Sequence, residues 1–302
     1  EAANRTFRGG QLGGGLLRQC FVLDSPRCDV LGVQVFFSAF ASFGKAKSTN
    51  FCVFDEKIPS RSPKTTKNMI SKPFMLVGDN AIMNSLLMKT AVQNNVKHFI
   101  FLSCSVMYHH SNKNLKETDY DPKKKLHKVY EGIGLTKIYI ENMCKFYAER
   151  SNTKFSVIRH TNIYGPHDKF ENINAHFMSS VISRSKYASK KLMVWGEGNE
   201  KRDFLYIDDL CSAIKNIMNK QKIKFDLVNV SYGKAFSIKN IVKKIKIVMG
   251  KSYNIFFDKK KPSIKINILI DNSKMIRKYN WKPKISIDNG IKKTVSWYLN
   301  NI

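Results

Sequence analysis

Acidic residues are scarce in this chain. Only 23 Asp and Glu stand against 52 Lys and Arg, for a formal charge of +29 over 302 residues. The excess can be read as a polyanionic partner, such as RNA, DNA or a membrane surface, or as lysines spread over a solvated surface. The second reading is favoured, because Lys outnumbers Arg and the lysines scatter along segments such as 238–251, with only short groups at 123–125 and 259–261. Nucleic acid is not the expected partner, although the charge does not exclude it. Paired cysteines are also missing. The six, at 20, 28, 52, 104, 144 and 211, form no Cys-x-x-Cys pair, which argues against a zinc site or a small disulfide scaffold. Free thiols in a reducing cytoplasm are expected, with no metal. No run is long enough to cross a bilayer: the most apolar stretch, 30–43, is short and contains Gln34 and two serines. No signal peptide is evident, and the chain begins at Glu1 rather than Met, so its natural start is expected upstream.

What is present is enough for a globular core. The chain is 43% hydrophobic and 25% charged, suited to one large α/β domain or a domain with a small appendage. From residue 75 onward, strand and helix signals alternate in the rhythm of a doubly wound sheet. Helices are expected at 81–96, 132–151, 175–185, 207–219, 237–249 and 287–301, and strands at 97–106, 155–159 and 225–230. The run 97–106, KHFIFLSCSV, has the continuous apolar character of a buried parallel strand. Asp208 and Asp209 read as helix-start residues rather than metal ligands.

Residues 1–74 read as an atypical or incomplete segment. A dinucleotide-binding unit opens with a strand, a Gly-x-x-Gly-x-x-Gly-like turn and a helix. Gly9, Gly10, Gly13, Gly14 and Gly15 cluster here without that spacing, no hydrophobic strand precedes them, and Asp24 comes too soon to grip a ribose. The segment is expected to lack a complete βαβ unit and to be partly disordered.

Two long stretches then carry a resemblance. The segment 159–170, RHTNIYGPHDKF, is similar to the TNxYGPHDxF stretch of GDP-L-fucose synthases. The segment 194–210, VWGEGNEKRDFLYIDDL, resembles that family's VWGxGxxxRxFLxVDD stretch. His176 stands between them at the spacing of the family's second catalytic residue. The resemblance covers 75–302 and identifies an extended short-chain dehydrogenase/reductase of the nucleotide-sugar-modifying kind. It implies a Rossmann-like doubly wound parallel sheet, with a smaller C-terminal substrate-binding part drawn mainly from 163–200 and 230–302. It also implies NADP(H), with NAD(H) as the alternative, a nucleotide-diphosphate sugar as substrate, and a homodimer.

The roles that the resemblance implies fall on particular residues. Lys137 would hold the nicotinamide ribose and lower the pKa of a tyrosine four residues earlier, since a phenol near pKa 10 needs a neighbouring cation to lose its proton at neutral pH. Residue 133 is isoleucine, however. Tyr130 lies seven residues before Lys137, about 10 Å along a regular helix. Gly132 and Gly134 would have to delay the helix start to bring it closer. Cys104 stands where the family has a catalytic serine, with Ser105 or Ser103 as substitutes, and a thiol is a weak donor. The family's epimerisation cysteine falls at Val106, which transfers no proton. His176 keeps its place as an acid/base. Asn162 would contact the substrate, His160 and Ile163 the cofactor, and Arg184 and Arg202 the diphosphate. Trp195 is expected to pack and His167 to fix a turn.

The leading expectation is therefore an NADP(H)-dependent enzyme that epimerises beside the ketone of a nucleotide-activated 4-keto-6-deoxy sugar and then reduces it. A 4-epimerase or 4,6-dehydratase on the same scaffold is the second reading. A catalytically weak descendant binding a nucleotide sugar or RNA is the third. Ile133, Cys104, Val106, the missing glycine turn and the +29 charge support this third reading, and Ile133, Cys104 and the missing turn converge on weak reduction.

Overall fold

The computed structural model describes residues 75–302, apart from 112, 171–174, 262 and 266, together with short strands earlier in the chain. Those strands are β1 (Cys20–Phe21) and β2 (Phe37–Ser38), an antiparallel pair, and β3 (Phe51–Phe54). The expectations about the glycine cluster and Asp24 lie outside the described residues.

The chain then runs through α1 (Met75–Gln93), β4 (His98–Cys104), α2 (Glu131–Arg150), β5 (Lys154–His160) and β6 (Asn162–Tyr164). It continues with α3 (Phe177–Tyr187), β7 (Lys191–Trp195), β8 (Lys201–Tyr206), α4 (Ile207–Lys220) and β9 (Phe225–Val230). Last come β10 (Ala235–Ser237), α5 (Ile238–Val248), β11 (Asn254–Asp258), α6 (Ser273–Tyr279) and α7 (Ile287–Asn301). The main sheet has the order β3-β4-β5-β9, with every pairing parallel. The strands at 98–104 and 154–160 are thus neighbours in one sheet, as the sequence predicts, and β3 carries that sheet into the segment set apart before residue 75.

Parallel pairing follows from the composition of β4. Its residues alternate between two cores. Phe99 and Phe101 pack with Leu87, Met88 and Ala91 of α1 and Ile140 and Cys144 of α2. Ile100 and Leu102 pack with Leu210, Ile214 and Ile217 of α4 and Met275 and Tyr279 of α6. A strand covered on both faces is largely apolar, and in this one the run Phe99–Leu102 is, while the buried polar His98 and Ser103 are hydrogen-bonded. Local signals set the helix ends. Asn95 adopts a left-handed backbone at φ 51°, and Val96 N bonds back to Ala91 O at 2.9 Å, a Schellman-type stop at the Asn94-Asn95 pair. Ser237 and Ser286 cap α5 and α7 by accepting from Asn240 N at 3.2 Å and Asn289 N at 3.3 Å.

A third core lies beside these two. It joins Tyr164, Met178, Val181, Phe204, Tyr206, Ile241, Ile291 and Tyr298, so it draws on β6, α3, β8, α5 and α7. The stretch between β5 and β9 carries much of it, which is why the sheet's last strand arrives so late. Phe204 and Tyr206 are core residues on a strand, as read from the sequence. Trp195 is not: it is 53% exposed on β7, because that strand alternates and position 195 points outward. Among the described residues, no helix is long and apolar enough to cross a membrane.

At the amino-terminal end of the sheet His98 is buried, its Nε2 2.7 Å from Ser156 Oγ, and Ser156 in turn bonds to the Gln221 side chain. Burial, with the nearby Lys154 charge, pulls its pKa down to about 4. A depressed folded-state pKa contributes stability that is present above the unfolded value of 6.5 and is lost as pH falls through 4. We predict that the unfolding free energy drops by roughly 3 kcal/mol between those limits from this residue alone. Urea titrations at several pH values should show that slope and lose it in His98→Asn; an equal slope in the variant would assign the effect elsewhere.

Candidate functional site

The carboxyl ends of β4 and β5 lie side by side, the place where parallel α/β sheets bind ligands. Cys104 and His160 are register partners there. A tight 3-10 turn at Ser105–Met107 follows Cys104, with Tyr108 N bonding to Ser105 O at 3.1 Å. Cys104 and Ser105 are partly exposed, whereas Ser103, one residue deeper, is fully buried. His160 Nδ1 lies 2.7 Å from Thr161 O.

Lys137 rises toward the same edge from α2. It is 2% exposed, its Nζ donates to Leu102 O at 2.8 Å, and it sits 4.7 Å from the centroid of the Phe101 ring. Ile133 stands one turn before it, where a phenol would have met the ammonium. Tyr130 does not take that place. The helix begins at Glu131, ahead of both glycines, and Gly134 N already bonds to Tyr130 O at 2.7 Å. The expected delay in the helix start is therefore absent, and Tyr130 stays two turns from Lys137. Gly134 serves close packing instead: a Cβ there would come within 2.6 Å of Leu126 Cδ1. The Tyr130 ring tilts against His127 at 5.8 Å, and its phenol feels Arg202 and Cys104. Burial raises its pKa, and the Arg202 charge only partly offsets that.

The residues expected at the substrate divide into two groups. Asn162 and Arg202 meet around β8. Asn162 Nδ2 donates to Asp203 O at 2.9 Å, and Arg202 donates to Lys201 O at 2.8 Å and to Ile264 O. Ile163, between them in the chain, is partly buried against the main-sheet core. Asp203 anchors this corner, accepting from Thr161 Oγ1 at 3.0 Å, Tyr232 N at 3.0 Å and Gly233 N at 2.7 Å. Burial pushes its pKa up to about 6 against those bonds. The sequence reading passed over Asp203, although the Arg202-Asp203 pair in KRDF was the available signal.

The second group belongs to α3. His176 is its N-cap, with Nδ1 3.1 Å from Asp168 Oδ1. Ser179 Oγ donates to the other Asp168 oxygen, and Lys169 N donates to Oδ1 at 2.8 Å. Arg184 lies on the same helix but donates to Ser180 O at 3.1 Å and Met193 O at 2.7 Å, tying α3 to β7. His167 fixes the turn before Asp168, at φ 65°, with its ring 4.4 Å from that of Trp297. Asp208 and Asp209 start α4, and Asp209 also accepts from Lys284 N at 2.9 Å and Ile285 N at 3.0 Å. Among the described residues, no group of three or more His, Cys, Asp or Glu side chains is placed to hold a metal ion.

Known proteins share the family and the fold. The model of the NAD dependent epimerase/dehydratase family matches residues 58–231. The chain is 28% identical to the GDP-L-colitose synthase of Yersinia pseudotuberculosis over 236 residues, 76% of each chain. It is 26% identical to the GDP-L-fucose synthase of Escherichia coli (strain K12) over 242 residues, 76% of this chain and 75% of that one. Among solved structures, a GDP-6-OMe-4-keto-L-xylo-heptose reductase from C. jejuni superposes with a TM-score of 0.74 at 21% identity, covering 84% of this chain and 83% of that one. At that identity the last likeness speaks for the fold.

If Arg202 grips a diphosphate, Arg202→Ala should weaken binding of a nucleoside diphosphate by about 2 kcal/mol, the scale of a hydrogen bond to a charged group. Calorimetry that finds no change in affinity would remove Arg202 from the site.

Proposed function

The chain belongs to the NAD dependent epimerase/dehydratase family, and on that premise we propose that it is a nucleotide-sugar epimerase/reductase of the GDP-L-fucose synthase kind. The substrate in this reading is GDP-4-keto-6-deoxymannose, which is epimerised beside its ketone and reduced at C4. The observation that carries the reading is His176, held at the head of α3 with one ring nitrogen on Asp168 and the side chain 64% exposed. An imidazole presented in that way can take the proton of a carbon acid beside a ketone. Arg184 and Arg202 would take the diphosphate, and Asn162 the sugar.

The donors at the strand ends suit the nicotinamide half of NADP(H) in kind. Cys104, Ser105, His160 and Lys137 offer a thiol, a hydroxyl, an imidazole and an ammonium to a carboxamide and a ribose diol. The cofactor, when bound, supplies a hydride. This chain must supply the proton, and there it is poorly equipped: Ile133 has none to give, and Cys104 replaces a better donor. We therefore read the reductase half as weak, and in the proton-exchange half we read His176 as kept while Val106 stands in the place of the second acid/base. A reducing compartment such as the cytoplasm suits the free thiols of Cys104, Cys144 and Cys211.

A homodimer is part of the same reading. Ile82 at 59% and Leu86 at 38% exposure on α1 stand with Leu135 at 57%, Tyr139 at 45% and Phe146 at 46% on α2. Ser85 Oγ and Tyr139 OH, 3.3 Å apart, bridge the two helices on this face. An apolar strip on two packed helices suits a second copy of the same pair. Light scattering should give a dimer for the unaltered chain and a monomer for a Leu135→Glu, Tyr139→Glu variant; a monomeric parent would end this part of the proposal.

Reduction is tested by single-turnover oxidation of NADPH with GDP-4-keto-6-deoxymannose. The unaltered chain should be slow, and Ile133→Tyr should accelerate it by about 10²-fold or more, the usual worth of a placed general acid. Fast turnover in the parent, unchanged by Ile133→Tyr, would mean that the proton comes from elsewhere.

A further inference from the structure

We propose that Asp168 is the positioning residue for His176, holding its ring as the Nδ1–H tautomer so that Nε2 presents a lone pair to the sugar carbon beside the ketone. The inference rests on the reading of His176 as the acid/base of epimerisation.

The local geometry is tightly determined. His176 has an extended backbone, and its carbonyl receives Ser180 N at 2.8 Å, so the residue is fixed to the first turn of α3. Asp168 reaches that turn because His167 before it takes a left-handed backbone, which reverses the chain. Three donors then converge on one carboxylate: Lys169 N and His176 Nδ1 on Oδ1, and Ser179 Oγ on Oδ2. Asp168 is 12% exposed where His176 is 64% exposed, so the carboxylate is the covered partner and the ring faces outward.

The tautomer follows from the acceptor. Burial alone would raise the Asp168 pKa, but its bond to His176 and the Ser179 and Lys169 bonds outweigh that and hold it below the usual range. An ionised carboxylate only accepts, so the hydrogen in the Nδ1···Oδ1 contact belongs to the ring. A neutral imidazole with that hydrogen has its lone pair on Nε2. When the C–H bond beside the ketone breaks, its proton passes to Nε2 and the electron pair stays on the sugar as the enolate. The imidazolium so formed lies 3.1 Å from a carboxylate that stabilises its charge. Asp168 touches neither substrate nor cofactor in this scheme; it acts through His176.

Deuterium uptake from D2O into the carbons flanking the ketone of GDP-4-keto-6-deoxymannose reads this step without the reduction. Asp168→Ala should slow uptake by about 10²-fold, within the span of general acid–base effects, with nucleotide-sugar affinity little changed. Asp168→Asn, whose carbonyl can still accept from Nδ1, should recover part of the loss. The ¹⁵N shifts of the His176 ring should report a protonated Nδ1 in the parent and a mixture of tautomers in Asp168→Ala. Unchanged uptake, or an unchanged tautomer, in Asp168→Ala overturns the proposal. If that variant does not fold, Ser179→Ala loosens the aim of the carboxylate and should slow uptake less; unaltered uptake in both Ser179→Ala and Asp168→Asn overturns it equally. His176→Asn separates the two claims. Uptake that survives His176→Asn, or is absent from the parent, defeats the acid/base reading of His176, while the ring tautomer still decides what Asp168 does.

Discussion

The buried ion pair between Glu141 of α2 and Arg159 of β5 is the constraint on which the site side of this fold depends. Arg159 meets the carboxylate with Nε at 3.1 and 3.2 Å and one terminal nitrogen at 2.6 Å, and both side chains are nearly fully covered. Burying two charges is costly, and the attraction offsets that only where the geometry is good and the remaining valences are filled. They are filled here. Ser103 Oγ of β4 donates to Glu141 at 2.6 Å, and Arg159 donates to Tyr108 OH at 2.9 Å. Tyr108 in turn donates to Asn229 of β9 at 2.9 Å, and Asn229 N bonds to Glu117 at 2.8 Å. Burial alone would push the guanidinium pKa down, but Glu141 more than offsets it, and burial lifts the Tyr108 phenol to about 12. The pair therefore stays ionised and the phenol stays protonated. Their bonds fasten three neighbouring strands, one helix and the loop after β4 at the level just beneath Cys104 and His160. Glu141 is one helical turn beyond Lys137, so the same pair fixes the depth at which Lys137 sits.

The large elements were legible because their patterns were strong. The apolar run expected at 97–106 as a buried parallel strand is one at 98–104, the strand expected at 225–230 is there, and the helix that closes the chain fell at 287–301 as read. The short strands β6, β7, β10 and β11 were not seen. They have three to five residues, and β11 and β7 pair across a wide gap in the chain, so no local pattern marks them. Trp195 illustrates the limit: aromatic character suggested packing, but the side it faces depends on the register of a strand the sequence does not reveal.

The candidate site divides in the same way. Motif spacing carried the positions of Lys137, His176 and Arg202, because long motifs survive drift in register. The partners were not legible. Asp168 lies eight residues before His176 and meets it only because His167 turns the chain. Glu141 and Arg159 lie on different elements, each looking like an ordinary charged residue until the fold covers it. Arg184 donates to Met193 O on a strand that was not foreseen, a contact no local pattern marks.

On the proposed reading, these two outcomes bear unequally on the two halves of the chemistry. The surroundings of His176, proposed to exchange the proton, are local: a turn, a helix head and three donors on one carboxylate, all between residues 167 and 179. The residues proposed to support reduction lie along α2, where Ile133 stands one turn before Lys137 and brings no phenol to the ammonium. Lys137 remains in place because Glu141 and Arg159 hold its helix for structural reasons, and its charge is directed to Leu102 O. Tyr130 cannot fill the gap well. It is the N-cap of a regular helix and about 10 Å of rise separates it from Lys137. Its cation is Arg202 on another strand, whose field does not overcome burial. A phenol whose pKa is raised holds the protonated state that reduction of a ketone requires, yet its drive to deliver that proton falls as the pKa climbs. Tyr130 in this position is a reluctant donor, and the ion pair that keeps Lys137 in register cannot make it a better one.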